Sequence, residues 1–272
     1  KMTNQKDYIE HLSENLKSCG VKKGDMLFLH SNIIRTLYEA RRLGIKISAE
    51  DILDSFLLAL GSKGTLLLPL FNFDFPTSKY FDLRHTPSQM GALTEIARLR
   101  AGSIRTGHPI YSFVALGHSK EQFSSVDNKS GYGADSPFGL LHRLDAKIAS
   151  LDLDDQSCMT FYHYVEESHN VSYRYFKNFT GTYVDENGIE TEKTYTLFVR
   201  DLKRNVTTYV NPTGELLWKK GFYKGFRPNE GPGLRTIKAN DMYNFTDKLI
   251  MQRKAEGNLF IFGDKNGRKR NI

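Results

Sequence analysis

Apolar and polar residues follow each other in blocks that switch between two periods. Residues 4–19 place Ile9, Leu12 and Leu16 at three- and four-residue spacing, which predicts a helix. The polar turn GVKKGD leads into MLFLH (26–30), an unbroken apolar run of strand length. SAEDILDSFLLALG predicts the next helix, with Ser48 as cap, Asp51 closing a capping box and Gly61 at the end. TLLLPL (65–70) is a second buried strand. TPSQMGALTEIARLRAG predicts a helix capped by Thr86, with Pro87 at its first position and Gln89 in the box position. YSFVALG (111–117) is a third strand. SPFGLLHRL starts a helix at Ser136 and Pro137, and KIASLDL (147–153) is a fourth strand.

After Lys177 the texture changes. GTYVDENGIETEKTYTLFVRD is rich in Thr, Tyr and Val around Asn187-Gly188, so residues 179–211 predict an antiparallel hairpin or meander. TIKANDMYNFTDKLIMQRKAEG returns to helical spacing, and NLFIFGD (258–264) ends as a strand. There is no repeat and no low-complexity linker. The fold class expected is α/β: a central mixed β-sheet flanked by helices, with an antiparallel β elaboration in the C-terminal half. Residues 1–272 are expected to form a single domain.

With 272 residues, 39% apolar and 25% charged, the chain has the composition of a globular protein with a sizeable core. No apolar run approaches the ~20 residues of a membrane helix, and KMTNQKDYIEHL lacks the apolar stretch of a signal peptide. The expectation is a cytoplasmic protein with no membrane partner and a possible homo-oligomeric state. Cys19 and Cys158 are too few for a disulfide framework or a cysteine-based zinc site. The net charge of +7 is uneven: residues 200–272 carry 16 Lys and Arg against 7 Asp and Glu. That balance suggests an anionic partner: a phosphate-bearing cosubstrate, a nucleotide-linked substrate or nucleic acid. The terminal GRKRNI also reads simply as a solvated basic tail.

Three groups of residues carry candidate chemistry. A buried strand ends at His30-Ser31-Asn32, and strand C-termini in α/β sheets are where ligands bind, although such residues also simply begin loops. Arg105, Thr106 and His108 precede Pro109 in extended backbone, a pattern that a loop alone satisfies. In CMTFYHYVEESHN, Thr160, His163 and Glu166 share one face of a predicted helix at three-residue spacing. Glu166 there can fix the tautomer of His163, the usual general base near neutral pH; a surface His/Glu pair fits the same spacing. A metal set of His163, Glu167 and His169 has the wrong spacing for one helical face, so no metal is expected. Neither a Walker motif, nor GxGxxG, nor GxSxG is present, which argues against a P-loop NTPase, a Rossmann dehydrogenase and an α/β-hydrolase.

In order, GDMLFLHSNI, GTLLLPLF, PSQMGALTEIARLRAGSIRTGHPIYSFVALG, YGADSPFGLLHRL and MTFYHYVEESHNVSYRYFKNF resemble the aminoglycoside 3-N-acetyltransferase superfamily, collinearly from about residue 10 to about residue 180. Ser88, Met90 and Gly91, then Arg105, His108 and Pro109, then Thr160, His163 and Glu166 form the most specific blocks. The resemblance implies an acyl-CoA-dependent N-acyltransferase with an α/β fold, using acetyl-CoA or a hydroxyacyl-CoA. It implies that His163 is the catalytic base, supported by Glu166. It places His30, Ser31 and Asn32 along the thioester or pantetheine channel, and Arg105, Thr106 and His108 near the cofactor or the floor of the site. The chain departs from the superfamily at Asn32 and Thr106, where Ser is usual, and at Leu151-Asp152, where Leu-Gly is usual.

For the acceptor, the basic C-terminal third favours a phosphate-bearing amine over a polycation: a nucleotide-linked amino sugar of surface-polysaccharide synthesis. Trp218, Phe222, Tyr223 and Phe226, interleaved with Lys219, Lys220, Lys224 and Arg227, could stack a base and hold a pyrophosphate; a basic loop with an aromatic anchor reads the same way. The substrate-binding candidates are thus Phe71, Trp218, Lys220 and Tyr223. The alternative acceptor is an aminoglycoside. A nucleic-acid-binding module is a reading of a different class, separated by its steep salt dependence, and nucleic acid is not the partner expected.

Overall fold

The computed structural model describes residues 4–264; the GRKRNI tail lies outside them. Helix α1 (Gln5–Ser18) is capped by the Asn4 side chain. Strand β1 (Met26–Ser31) is followed by α2 (Ile34–Arg42) and α3 (Ala49–Leu60). Strand β2 (Thr65–Pro69), the short α4 (Phe75–Ser78) and β3 (Tyr80–Asp82) lead to α5 (Ala92–Leu99). Then come β4 (Ile104–Arg105), β5 (Phe113–Gly117), α6 (Pro137–Arg143), β6 (Lys147–Leu151), α7 (Asp155–Cys158) and α8 (Phe161–Ser168). The C-terminal half holds β7 (Arg174–Val184), β8 (Glu190–Arg200), β9 (Val206–Thr208), α9 (Asn211–Lys219), β10 (Lys224–Gly225), β11 (Leu234–Lys238), α10 (Ala239–Met251) and β12 (Phe260–Phe262).

Seven strands form the central sheet in the order β10-β11-β6-β1-β2-β5-β4. β1 lies parallel to both β2 and β6, whereas β11 and β5 flank them antiparallel. The sheet is therefore mixed, as expected. The unbroken apolar runs have a physical reason: both faces are covered, so successive side chains enter different cores. Leu27, Leu29, Leu66 and Leu68 pack with α3 and α5 on one face. Phe28, Leu67 and Ile148 pack on the other with Phe138 of α6, Phe161 and Val165 of α8 and Met242 of α10. Both clusters are almost fully shielded from water, at ~25 cal/mol per Å² of apolar surface.

The expected hairpin is present and begins earlier than residue 179: β7 and β8 pair over eleven residues each. Its turn uses Gly188 at φ +81° and Asp185, whose Oδ1 accepts from the Asn187 and Ile189 amides. β3 adds to β7 in parallel, forming a separate three-stranded sheet.

Several local expectations change. The helix expected from Thr86 starts only at Ala92, because Gly91 sits at φ +105° and breaks the helical path. Gln89 does not close a capping box. Its Oε1 accepts from the Phe73 amide and its Nε2 donates to Asp74, stitching two loops together. Helix α2 and helix α9 were not foreseen. Residues Thr236–Lys238, expected as helix, pair with β6 as part of β11. The final strand is limited to Phe260–Phe262 and pairs with β9. No described helix is long and apolar enough to cross a membrane.

Candidate active site

Parallel β1, β2 and β6 end at one rim, and backbone groups released there surround a cleft of about 750 Å³. Its wall takes His30, Ser31 and Asn32 from the end of β1, Phe71 beyond β2, Met90 and Gly91 at the entry of α5, and Tyr111. The opposite wall comes from the segment after β6, including Asp155, Cys158, Thr160 and His163, with Thr208 from β9. The catalytic candidates Thr160 and His163, the three β1 residues and Phe71 are thus brought together.

Helix α8 buries Phe161, Tyr162, Tyr164 and Val165, which fixes its rotation about its axis. Three-residue spacing then sets His163 Nδ1 2.7 Å from Glu166 Oε1. The carboxyl side chain is 1% exposed and the imidazole 17%. Tyr132 packs 5.3 Å from the imidazole, ring to ring, and helps to dry it. Burial opposes ionisation of Glu166, but the Arg174 guanidinium and the imidazole outweigh it and hold the carboxyl below its ordinary range. Burial, and next the charge of Arg174, push the His163 pKa down, against Glu166, which pulls it up. The pair is a carboxylate facing a neutral imidazole, with Nδ1–H donated to Glu166 and Nε2 accepting from Arg174 Nη2 at 3.3 Å. Thr160 stands at the start of α8 without capping it; its hydroxyl donates to the Cys158 carbonyl at 3.4 Å.

His30 is 4% exposed and neutral, its pKa lowered to about 3 by burial and then by Arg235. Its Nε2 is buried without a hydrogen-bond partner. Asn32 donates its backbone amide to Leu151 and takes the Ile34 amide on its side chain, which shapes the entry of α2. Beside it, Asp152 holds φ +52°, a conformation that favours glycine, the residue usual there in the superfamily. Both carboxylate oxygens of Asp152 accept from Arg35 at 3.0 Å, an anchor that offsets the backbone cost.

Arg105, Thr106 and His108 do not line the cleft. Arg105 bonds the Leu83 and Thr86 carbonyls and lies over the Phe81 ring. Thr106 accepts the Phe113 amide, and His108 Nδ1 accepts from Ile110 and Tyr111. All three brace the loop that carries Tyr111 to the cleft. Trp218, Lys220 and Tyr223 also lie outside the lining. Tyr223 is 4% exposed and donates to Asp155 at 2.7 Å. Trp218 packs on Tyr223, and Arg227, bound to Glu215, covers its ring. Trp218 of α9 and the buried Tyr223 beyond it are thus engaged in packing. His163, Glu167 and His169 engage Glu166, Ser130 and Asp247 respectively, so they do not converge.

Two charged groups escaped the sequence reading. Arg174 opens β7 and reaches back to His163 and Glu166. Asp155, in the cleft wall, collects Tyr162, Tyr223 and Arg235. Neither lies on α8 with the histidine, so the i,i+3 rule that marks Glu166 does not reach them.

The fold is shared with solved aminoglycoside acetyltransferases. AAC-VIa bound to sisomicin superposes with a TM-score of 0.74 at 20% identity, over 91% of this chain and 98% of that one. AAC-IIIb in binary complex with CoASH gives 0.71 at 19% identity, over 92% and 97%. In sequence, the SPbeta prophage-derived aminoglycoside N(3')-acetyltransferase-like protein YokD of Bacillus subtilis is 24% identical over 174 residues. That match spans 55% of this chain and 62% of the length of YokD. The model of the aminoglycoside 3-N-acetyltransferase family matches residues 39–250, and the chain belongs to that family of acyltransferases.

Proposed function

We propose that the protein transfers an acetyl group from acetyl-CoA to an amino group of an aminoglycoside-type amino sugar, with His163 as general base. The observation that carries this reading is the His163–Glu166 pair, whose Nδ1 is held by a carboxylate at 2.7 Å in the wall of the rim cleft. The acceptor amine adds to the thioester carbonyl, forming a C–N bond. His163 Nε2 takes the proton released from nitrogen, and the tetrahedral oxyanion collapses with cleavage of the C–S bond. The CoA thiolate leaves with the electron pair and is reprotonated from His163 or water. Such a base contributes ~10²–10⁴-fold. His30 lines the cleft, and its buried Nε2 lacks the partner that a thioester carbonyl or a pantetheine amide would supply.

For the acceptor, family membership and the sisomicin complex of AAC-VIa favour an aminoglycoside. The nucleotide-linked amino sugar loses the residues expected to hold it, because Trp218, Lys220 and Tyr223 do not line the cleft. The test is mass-spectrometric detection of N-acetylated product from two acceptor panels, aminoglycosides and nucleotide-linked amino sugars. Acetylated aminoglycoside supports the reading; product only from the nucleotide sugars overturns the acceptor, and no product from either overturns the reaction.

A further inference from the structure

Arg174 is not a chance neighbour of the base. Its side chain is 5% exposed, and its guanidinium meets both members of the pair. Nε lies 3.3 Å from Glu166 Oε1, and Nη2 lies 3.3 Å from His163 Nε2. The remaining contacts aim it: Nη1 donates to the Phe198 carbonyl at 2.8 Å, and Nη2 also reaches Thr208 Oγ1 at 3.4 Å in the cleft wall. The guanidinium therefore spans from the second hairpin strand to the floor of the cleft. We propose that Arg174 is a positioning residue that sets the protonation state of the His163 base, keeping Glu166 ionised and the imidazole neutral until the acceptor amine engages Nε2.

The charges support this arrangement. From its own helix His163 faces Glu166, from β7 Arg174, from β8 Arg200 and from the loop before α6 Tyr132. Tyr173 lies against Glu166. A buried His facing only a carboxylate would hold a proton strongly and enter the reaction as imidazolium, unable to accept one. A guanidinium beside Nε2 opposes that charge, so the free-base fraction rises. The imidazole is then the weaker base. That suffices for the zwitterionic adduct of amine and thioester, whose N–H is far more acidic than the starting ammonium.

The inference rests on His163 being the base, but its test does not need turnover. NMR titration of the His163 imidazole, assigned by difference with His163→Ala, is read without CoA or acceptor. In the wild type it should titrate below 6.5, the ordinary histidine value. Arg174→Gln keeps an amide donor for the Phe198 carbonyl and removes the charge, and the pKa should rise by about one unit or more. Arg174→Lys retains the charge and should stay near the wild type. In kinetics, the acid limb of kcat for Arg174→Gln should move up with the imidazole. The variant then loses severalfold more activity at pH 6 than at pH 8.5. A purely structural role would lower activity equally at both. Identical titration in the wild type and Arg174→Gln overturns the proposal. Should Arg174→Gln not fold, an Arg174→Lys imidazole titrating above 6.5 overturns it. Normal titration shifts without transfer to any amine would instead count against the proposed reaction.

Discussion

His163 is useful only because Glu166 and Arg174 agree on its state. Nδ1–H is committed to Glu166, Nε2 lies 3.3 Å from Arg174 Nη2, and burial with Arg174 disfavours the imidazolium. His163→Ala should lower kcat by ~10²–10⁴-fold with little change in the KM for acetyl-CoA. Glu166→Gln should lower kcat by at least about tenfold, since the tautomer is no longer held. It should also cost about 3 kcal/mol of stability in a denaturant melt, because Arg174 is left as a buried charge without its partner. Tyr223→Phe separates scaffold from site. It removes one of two hydroxyl donors to Asp155 and should cost about 1–3 kcal/mol, with acceptor KM unchanged. A raised acceptor KM there would restore the ligand platform that the structure replaces with packing. At this scale the His/Glu pair was legible because i,i+3 spacing is a helical rule. Arg174 was not: it reaches the pair through a chain reversal that no local pattern encodes.

Elements show the same division. Ser48 and Asp51 form the capping box that their spacing implied. Ser48→Ala should cost about 1 kcal/mol and leave KM untouched, because α3 packs on the sheet face away from α8. Gly91 lines the cleft at φ +105° with open space around its α-carbon. Gly91→Ala should cost about 1–2 kcal/mol through backbone strain and should also raise the acceptor or acetyl-CoA KM. Equal KM for both variants would remove the loop 86–91 from the site. That loop carries the signals of a helix start, Thr86-Pro87 and Gln89, yet it is held open by cross-loop bonds from Asn72, Phe73 and Asp74. Tertiary partners outbid local propensity there. The buried strands were legible because doubly covered strands are apolar throughout. Helix α9 was hidden because its Trp218 read as part of a ligand surface.

Across the whole molecule, the basic C-terminal third is partly spent internally. Arg235 is buried against Asp155, and Arg227 is paired with Glu215. Net charge read along a sequence counts such residues as available, and this is why it pointed toward a phosphate-bearing acceptor. The same interior makes the fold acid-sensitive. Burial holds His30 down to about 3 and His108 down to about 4, and it lowers His163 as well. The unfolded chain takes up protons on these side chains near 6.5, so below that pH it binds more protons than the folded state. Stability is therefore full above about 6.5 and falls as pH drops toward 4, by up to ~1.4 kcal/mol per unit for each group. Denaturant midpoints should be clearly lower at pH 5 than at pH 7.5. Equal midpoints would mean that these histidines are not held neutral.

The central claim is that His163 removes a proton from an amine as it attacks an acyl-CoA. Acceptor-dependent thiol release from acetyl-CoA, followed for the wild type and His163→Ala with an aminoglycoside panel near pH 8, tests it most directly. The account predicts thiol release by the wild type that depends on the amine and falls ~10²–10⁴-fold in the variant. Release that ignores the amine, or that survives the loss of the imidazole, would contradict it.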